Sequence, residues 1–289
     1  MSKRQPLSLR DVVERYGPAL APVIISRLPV FAPVERRGRI ERTVTVTTAW
    51  GEVSVTGRLT QLHRSLLDAA IATALPDASH PTEDGGVTLV CDPYRLCRMM
   101  GTSTWDYEWL ESLLRDLRRA EVRIMENGYS FPLVVTGILT TFGRYDRQKR
   151  LYPGRLSHRK DDRRDMILLT ISAPWWSMWS GQALSHYKQV LPQIGRLSGL
   201  GQAVARLALT QQTGWRIAVN HALQAVGAID DGKDAAARMR RMRARRELLQ
   251  DRDGLADLGI DITGDTIVYH PSARTYISVP EAQHSMHGT

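Results

Sequence analysis

The chain has 289 residues, 43% of them hydrophobic and 24% charged, proportions ordinary for a globular protein and enough for one large domain or two moderate ones. Two cysteines, Cys91 and Cys97, are too few for a disulfide framework. No apolar run approaches the ~18 residues of a membrane span, and the N-terminal stretch lacks the apolar core of a secretory signal, so a cytoplasmic chain outside the membrane is expected. The formal net charge of +9, carried mostly by arginine, favours a polyanionic partner, an anionic membrane surface being the weaker option.

Residues 1–40 contain Pro6, Pro18, Pro22, Pro29 and Pro33 and read as an arm of short turns and extended pieces. The β-branched stretch RTVTVTTAWGEVSVTG then predicts a hairpin turning near Gly51. Leu59, Leu62, Leu66, Leu67, Ala70 and Ile71 recur at helical spacing and predict a helix over 59–74. GVTLVC follows as a short strand. Asp92–Pro93 supplies an N-cap and a first-turn proline for a helix that stops at Gly101. STWDYEWLESLLRDLRR is the next helix, with Ser103 as cap, Asp106 three residues on, and Leu110, Leu113, Leu114 and Leu117 facing inward. VRIMENGYSFPLVV gives two strands joined at Asn127–Gly128, a strong hairpin signal. Gly143–Asp165 holds nine lysines or arginines and reads as a long solvated loop before the strand MILLTIS.

After residue 172 the pattern starts again. APWWSMWSG reads as a short helix and HYKQVL as a short strand. LSGLGQAVARLALTQQ, WRIAVNHALQAVG and DDGKDAAARMRRMRARRELL predict three helices. LGIDITGDTIVYHPSARTYISVP predicts a strand and then a hairpin turning at Pro271–Ser272. Three helices followed by a hairpin thus occur twice. That order predicts an α+β chain of two tandem winged helices, each a helix-turn-helix with a β-hairpin wing behind it. Residues 41–172 form the first, 173–280 the second, and 281–289 a C-terminal tail.

The third helix of the second copy carries Arg238, Arg240, Arg241, Arg243, Arg245 and Arg246, six arginines in nine positions, with no acid between Ala235 and Arg246. An ordinary exposed helix intersperses acids, because i,i+4 acid–base pairs add a few tenths of a kcal/mol. Six guanidiniums this close repel one another, and an anionic partner offsets that cost. At 100° per residue, Ala235, Met239, Met242 and Leu249 make a narrow packing seam, and the arginines fan over the rest of the circumference. Such an arc suits a major groove ~12 Å wide, with phosphates on its walls and base edges on its floor. On this reading Asp231 caps the helix and Arg240, Arg241 and Arg243 lie nearest the groove floor. Arg238, Arg245 and Arg246 meet the walls, and Lys233 adds charge just ahead of the helix. The alternatives are a solvated surface helix, a localisation signal, or a helix for an acidic protein partner.

Arg274, at the predicted wing tip, either reaches a phosphate or the adjacent minor groove or stands as a solvated turn residue. The corresponding helix of the first copy sets Asp106, Glu108, Glu111 and Asp116 against Arg115, Arg118 and Arg119. It therefore enters a groove less deeply, contacting backbone through Arg118 and Arg119, or serves a protein contact. Arg144, Arg147, Lys149 and Arg150 of the basic stretch either clamp DNA or belong to a disordered insert. Trp105 and Trp109 read as core or interface, and WWSMW as a buried helix at the domain junction. Gly227–Lys233 mimics a nucleotide-binding loop, but Asp234 stands where magnesium needs Ser or Thr. The cysteines and histidines lack metal-ligand spacing, and neither a G-x-S-x-G motif nor an acid-rich metal cluster stands out. No enzymatic activity, cofactor or metal is expected.

Three stretches resemble a known family: YRLCRMMG, LSGLGQAVARLAL behind GRL, and RMRRMRARRELLQ followed by LADLG. They look like the short helix of the first domain, the first helix of the second domain, and the arginine-rich helix before the wing in the iteron-binding replication initiators of broad-host-range bacterial plasmids. The resemblance spans about Val44 to Val279. It implies a protein that binds direct repeats in duplex DNA at a plasmid origin, bends and helps melt the adjacent AT-rich DNA, and recruits the host helicase or initiator. It further implies neither nuclease nor ATPase activity, monomers as the active form, and dimers that limit copy number. Some members carry a sliding-clamp peptide. QPLSL at Gln5–Leu9 faintly resembles it, with Arg10 in place of the apolar end. A winged-helix transcriptional repressor of plasmid or phage origin is the alternative; it shares the DNA binding but not the origin melting.

Overall fold

A computed structural model describes residues 20–22, 26, 29–33, 43–48, 51–102, 106–126, 133–145, 151–152, 166–181, 184–186, 188–230 and 232–270. Of the N-terminal arm, β1 (Leu20–Pro22) is a short strand. β2 (Thr43–Thr48) and β3 (Gly51–Thr56) pair antiparallel with Thr48 opposite Gly51, the hairpin that the β-branched run predicts. α1 (Gln61–Thr73) starts at Thr60, whose backbone N–H donates to His63 Nδ1 at 3.0 Å. β4 (His80–Pro81) and the fully buried β5 (Val87–Cys91) follow. α2 (Pro93–Met99) has Asp92 as its cap, accepting from the Tyr94 and Arg95 N–H groups. It ends at Gly101, whose φ of 79° only glycine adopts without strain. α3 (Tyr107–Arg119) is capped by Asp106, which accepts from the Glu108 N–H. The predicted cap, Ser103, lies outside the described residues.

β6 (Glu121–Glu126) and β7 (Leu133–Thr136) pair antiparallel; their Asn127–Gly128 turn lies outside the described residues. Together with β2 and β3 they form a four-stranded sheet. β8 (Leu139–Tyr145), β9 (Leu151–Tyr152) and β10 (Met166–Ile171) join β4 and β5 in a second sheet, ordered β4-β5-β10-β8-β9. The basic stretch is therefore not all loop. Arg144 belongs to β8 and faces Ile167 across the ladder, and Leu151 and Tyr152 pair back onto β8.

α4 (Ala173–Gly181) buries Trp175 and Trp176, with the Phe31 ring edge-on to Trp175. The predicted strand HYKQVL is reduced. β11 (Leu184–His186) pairs with β1, and Lys188–Val190 is a 3₁₀ turn leading into α5 (Leu191–Arg196), a helix that the sequence pattern does not predict. α6 (Gly199–Ala208) is capped by Ser198, whose Oγ accepts from the Gly201 N–H. The predicted helix from Trp215 divides into β12 (Arg216–Ala218) and α7 (Val219–Ala225). Burial alternates from Trp215 to Ala218, a period of two, and this overrides the helical reading of so short a stretch. α8 (Ala235–Gln250) and α9 (Arg252–Ala256) precede β13 (Ile260–Thr263) and β14 (Thr266–Tyr269). These two strands pair as a hairpin that turns at Gly264–Asp265, and the predicted turn at Pro271–Ser272 lies outside the described residues. Gly-Asp is a two-residue turn signal in its own right, and Gly264 has φ 58°. Residues 271–289 lie outside the described set.

Both halves run helix, strand, helix, helix, hairpin, except that the short α9 intervenes between α8 and β13 in the second. In each, the lone strand pairs with the second strand of the hairpin: β5-β10-β8 in one and β12-β14-β13 in the other. The first copy differs by the β6–β7 insertion ahead of β8 and by the edge strands β4 and β9. Each copy has its own apolar cluster, one around Leu66, Leu89, Leu114 and Ile167, the other around Leu200, Leu223, Leu248 and Ile267.

A buried polar network joins the copies through α1 and α6. Arg206, 2% exposed, donates to Ser65 (2.8 Å), Gln61 (3.1 Å), Gln202 (3.3 Å) and Asp68 (3.3 Å). Asp68 also accepts from Arg64 Nε at 2.9 Å, and the Ser65 hydroxyl donates to Gln202 at 3.0 Å. Next to it α2 and α5 meet backbone to backbone. A Cβ on Gly195 would stand 1.8 Å from the Met100 carbonyl oxygen, so no larger residue fits. These contacts fix the orientation of one copy against the other.

Candidate nucleic-acid interface

Alanine, arginine, methionine and leucine, all good helix formers, make up most of α8. Its N-cap is Asp234, whose Oδ1 accepts from the Ala237 N–H at 2.6 Å. The expected cap, Asp231, lies outside the described residues. The packing seam also differs from expectation. Ala237, Ala244 and Leu248 are buried, whereas Met239, Met242 and Leu249 are 60%, 58% and 51% exposed, and Ala235 is exposed too. Ala244 and Leu248 join the apolar cluster that α6 and α7 contribute to, and Ala237 lies beside Gly232 of the preceding loop. Two alanines and Leu248 mark the inner face, so the expected seam of Ala235, Met239, Met242 and Leu249 lies on the outer side.

That rotation reorders the arginines. Arg241, half-buried, donates to the Gly232 carbonyl in the loop ahead of the helix. Arg240 donates to Asp230 Oδ2 at 2.9 Å. Arg245 pairs with Asp265 at the β13–β14 turn, tying the helix to the hairpin tip. The Gly232 N–H, then the charges of Arg240 and Arg241, hold the Asp230 carboxyl below its ordinary range, so it stays an anion beside them. Arg238, Arg243 and Arg246 are exposed and form no ion pair with any described residue. At 3.6 residues per turn, Arg246 stands about 180° from the buried Ala237, with Arg238 and Arg243 flanking it. Arg238, Arg243 and Arg246 thus make up the outward arc of the helix, whereas Arg240, Arg241 and Arg245 are held by partners in the flanking loops. Lys233 is exposed one residue ahead of the cap.

The remaining candidates are dispersed. Arg118 and Arg119 are exposed in the last turn of α3, in the other copy. Arg115 of the same helix is bound by Glu111 at 2.5 Å, and Asp116 turns in to within 3.4 Å of His63 Nε2. Arg144 is half-buried in the five-stranded sheet, which corrects its placement in the solvated loop. Arg147, Lys149, Arg150 and Arg274 lie outside the described residues. Arg216, exposed on β12 beside the hairpin, escapes the sequence pattern because its segment reads as helix.

Other chemistry finds little support among the described residues. Burial pushes the Cys91 and Cys97 thiols up to about 12 and about 11, so neither is a ready nucleophile. Among the described residues there is no cluster of His, Cys, Asp and Glu that could hold a metal ion, and no helix long and apolar enough to cross a membrane. A small cavity at the junction, lined by Ser26, Phe31, Gln61, Arg64 and Arg206, is walled by guanidiniums already engaged in the polar network. Set against protein-family models, curated proteins and solved structures, the chain matches none of them.

Proposed function

We propose that the chain is a sequence-specific duplex-DNA-binding protein and that α8 is the helix that enters the major groove. The observation that carries this is the outer face of α8: Arg238, Arg243 and Arg246 exposed together, unpaired among the described residues, on a face without an acid. The tethers support it. Arg240 and Arg245 are held by loop acids at the flanks of α8, where groove walls would lie, and Arg245 links the helix to the adjoining hairpin. The repeated order of helix, strand, helix, helix and hairpin supports reading each half as a winged helix, with β13–β14 as the second wing.

Within that class the proposed role is a plasmid replication initiator that binds direct repeats and acts with host replication proteins. The tandem arrangement with two unlike third helices favours it. One copy is equipped for DNA, and the other presents a mixed-charge helix suited to a protein partner or to self-association. The role needs no cofactor, metal or catalytic residue. The test is a footprint on DNA flanking the gene, together with replication of that DNA in a host lacking other initiators. Protected direct repeats and autonomous replication are expected. One protected palindrome without replication would instead assign a repressor.

A further inference from the structure

We infer that Met239 and Met242 are specificity residues that read thymine methyl groups in the major groove, so that the ligand is thymine-containing B-form DNA and not RNA. This rests on the DNA-binding reading above. Large hydrophobic residues exposed among the described ones are Tyr94, Val134, Met239, Met242 and Leu249, and three of these five sit on α8. With Arg238, Arg243 and Arg246 they share an arc of about 140°, opposite the buried Ala237, Ala244 and Leu248. Leaving two methionines and a leucine in water on a helix that already has a packed inner face costs solubility, and a partner that covers them relieves it.

The arginines choose the partner. A second copy packed on this face would press Arg238, Arg243 and Arg246 against their own duplicates with no acid in the arc to offset them, Glu247 lying outside it. A duplex major groove provides both halves of the complement. Phosphates and guanine edges take the guanidiniums, and the thymine C5-methyl is the apolar group exposed on the groove floor. Methionine, unbranched and polarizable, adapts to such a methyl better than a β-branched residue would. RNA offers neither the methyl, since uracil lacks it, nor a major groove wide enough to admit a helix.

The experiment starts with the full chain and a random duplex pool. Bound duplexes are selected, and the affinity of the recovered site is measured by fluorescence anisotropy. Each thymine is then replaced in turn by deoxyuridine, which removes one methyl and no hydrogen-bonding group. At one or two positions the replacement should weaken binding roughly fourfold, the value of one buried methyl carbon. Met239→Ala or Met242→Ala should abolish that sensitivity while lowering affinity for the thymine site by a similar factor. Both residues are exposed, so folding should survive, with circular dichroism and Tm as the check. Enrichment of no duplex at all would sink the DNA-binding reading itself. A selected site indifferent to deoxyuridine, or equally sensitive in the methionine variants, would overturn only this inference. So would a double alanine variant with unchanged affinity but altered oligomeric state, which would give the face to a second copy.

Discussion

α3 and α8 each precede a hairpin in their half of the chain and turn different chemistry outward. α3 buries Leu110, Leu113, Leu114 and Leu117 and leaves Glu108, Ser112, Arg115, Arg118 and Arg119 outside, with Arg115 neutralised by Glu111. α8 packs through two alanines and Leu248 and leaves arginine and methionine outside without an acid. The inward residues keep the architecture, and the outward ones are free to diverge.

The widest separation between the two helices should come from charge reversal. Arg238→Glu, Arg243→Glu and Arg246→Glu combined should lower duplex affinity by more than a thousandfold, because base-reading arginines are worth about 1–3 kcal/mol each. The matching reversal at Arg115, Arg118 and Arg119 should cost less than about tenfold. Equal losses in an anisotropy titration would erase the distinction between the helices. Next comes the frame that holds them. Asp68→Ala leaves Arg64 and Arg206 buried without their shared carboxylate and should cost about 3–5 kcal/mol in urea unfolding. A loss below ~1 kcal/mol would mean the copies are not joined there.

Smaller effects sharpen the contrast between tethered and free arginines. Asp265→Asn should release Arg245, raising affinity for random duplex a few-fold while moving stability by less than about 1 kcal/mol, as befits an exposed pair. Smallest of all is Glu247 on the α8 flank, where burial, then the charge of Asp251, hold the carboxyl above its ordinary range. A raised acid favours the protonated folded state, so its contribution is fully present below the unfolded pKa and is lost as pH rises through the folded one. Glu247→Gln should therefore stabilise slightly at pH 7, with the gain fading as the pH falls to ~4. A gain that grew on acidification would reverse the sign.

Much of this was legible in the chain. The leucine stripe of α3, the Asp92–Pro93 start of α2 and the β-branched hairpin at Gly51 are local signals, and the structure follows them. The α8 seam was not legible. Its inner face is Ala237, Ala244 and Leu248, and which side of the helix meets the rest of the chain is a tertiary fact that the apolar spacing does not show. The tethers escaped for a related reason: Asp230 and Asp265 lie in flanking turns, ten and twenty residues from the arginines they hold. The Arg206–Asp68–Gln61–Ser65 network joins residues more than 130 positions apart, and no sequence pattern announces it.

On the proposed reading, the outer face of α8 meets a polyanion. The most direct test is the slope of log K against log salt for duplex binding, measured for the parent and for the variant with Arg238→Ala, Arg243→Ala and Arg246→Ala combined. The parent should fall steeply, and the variant should be shallower by about one to three, near 0.9 for each phosphate that is no longer neutralised. A flat parent titration, or a variant slope equal to the parent's, would show that the face meets no polyanion.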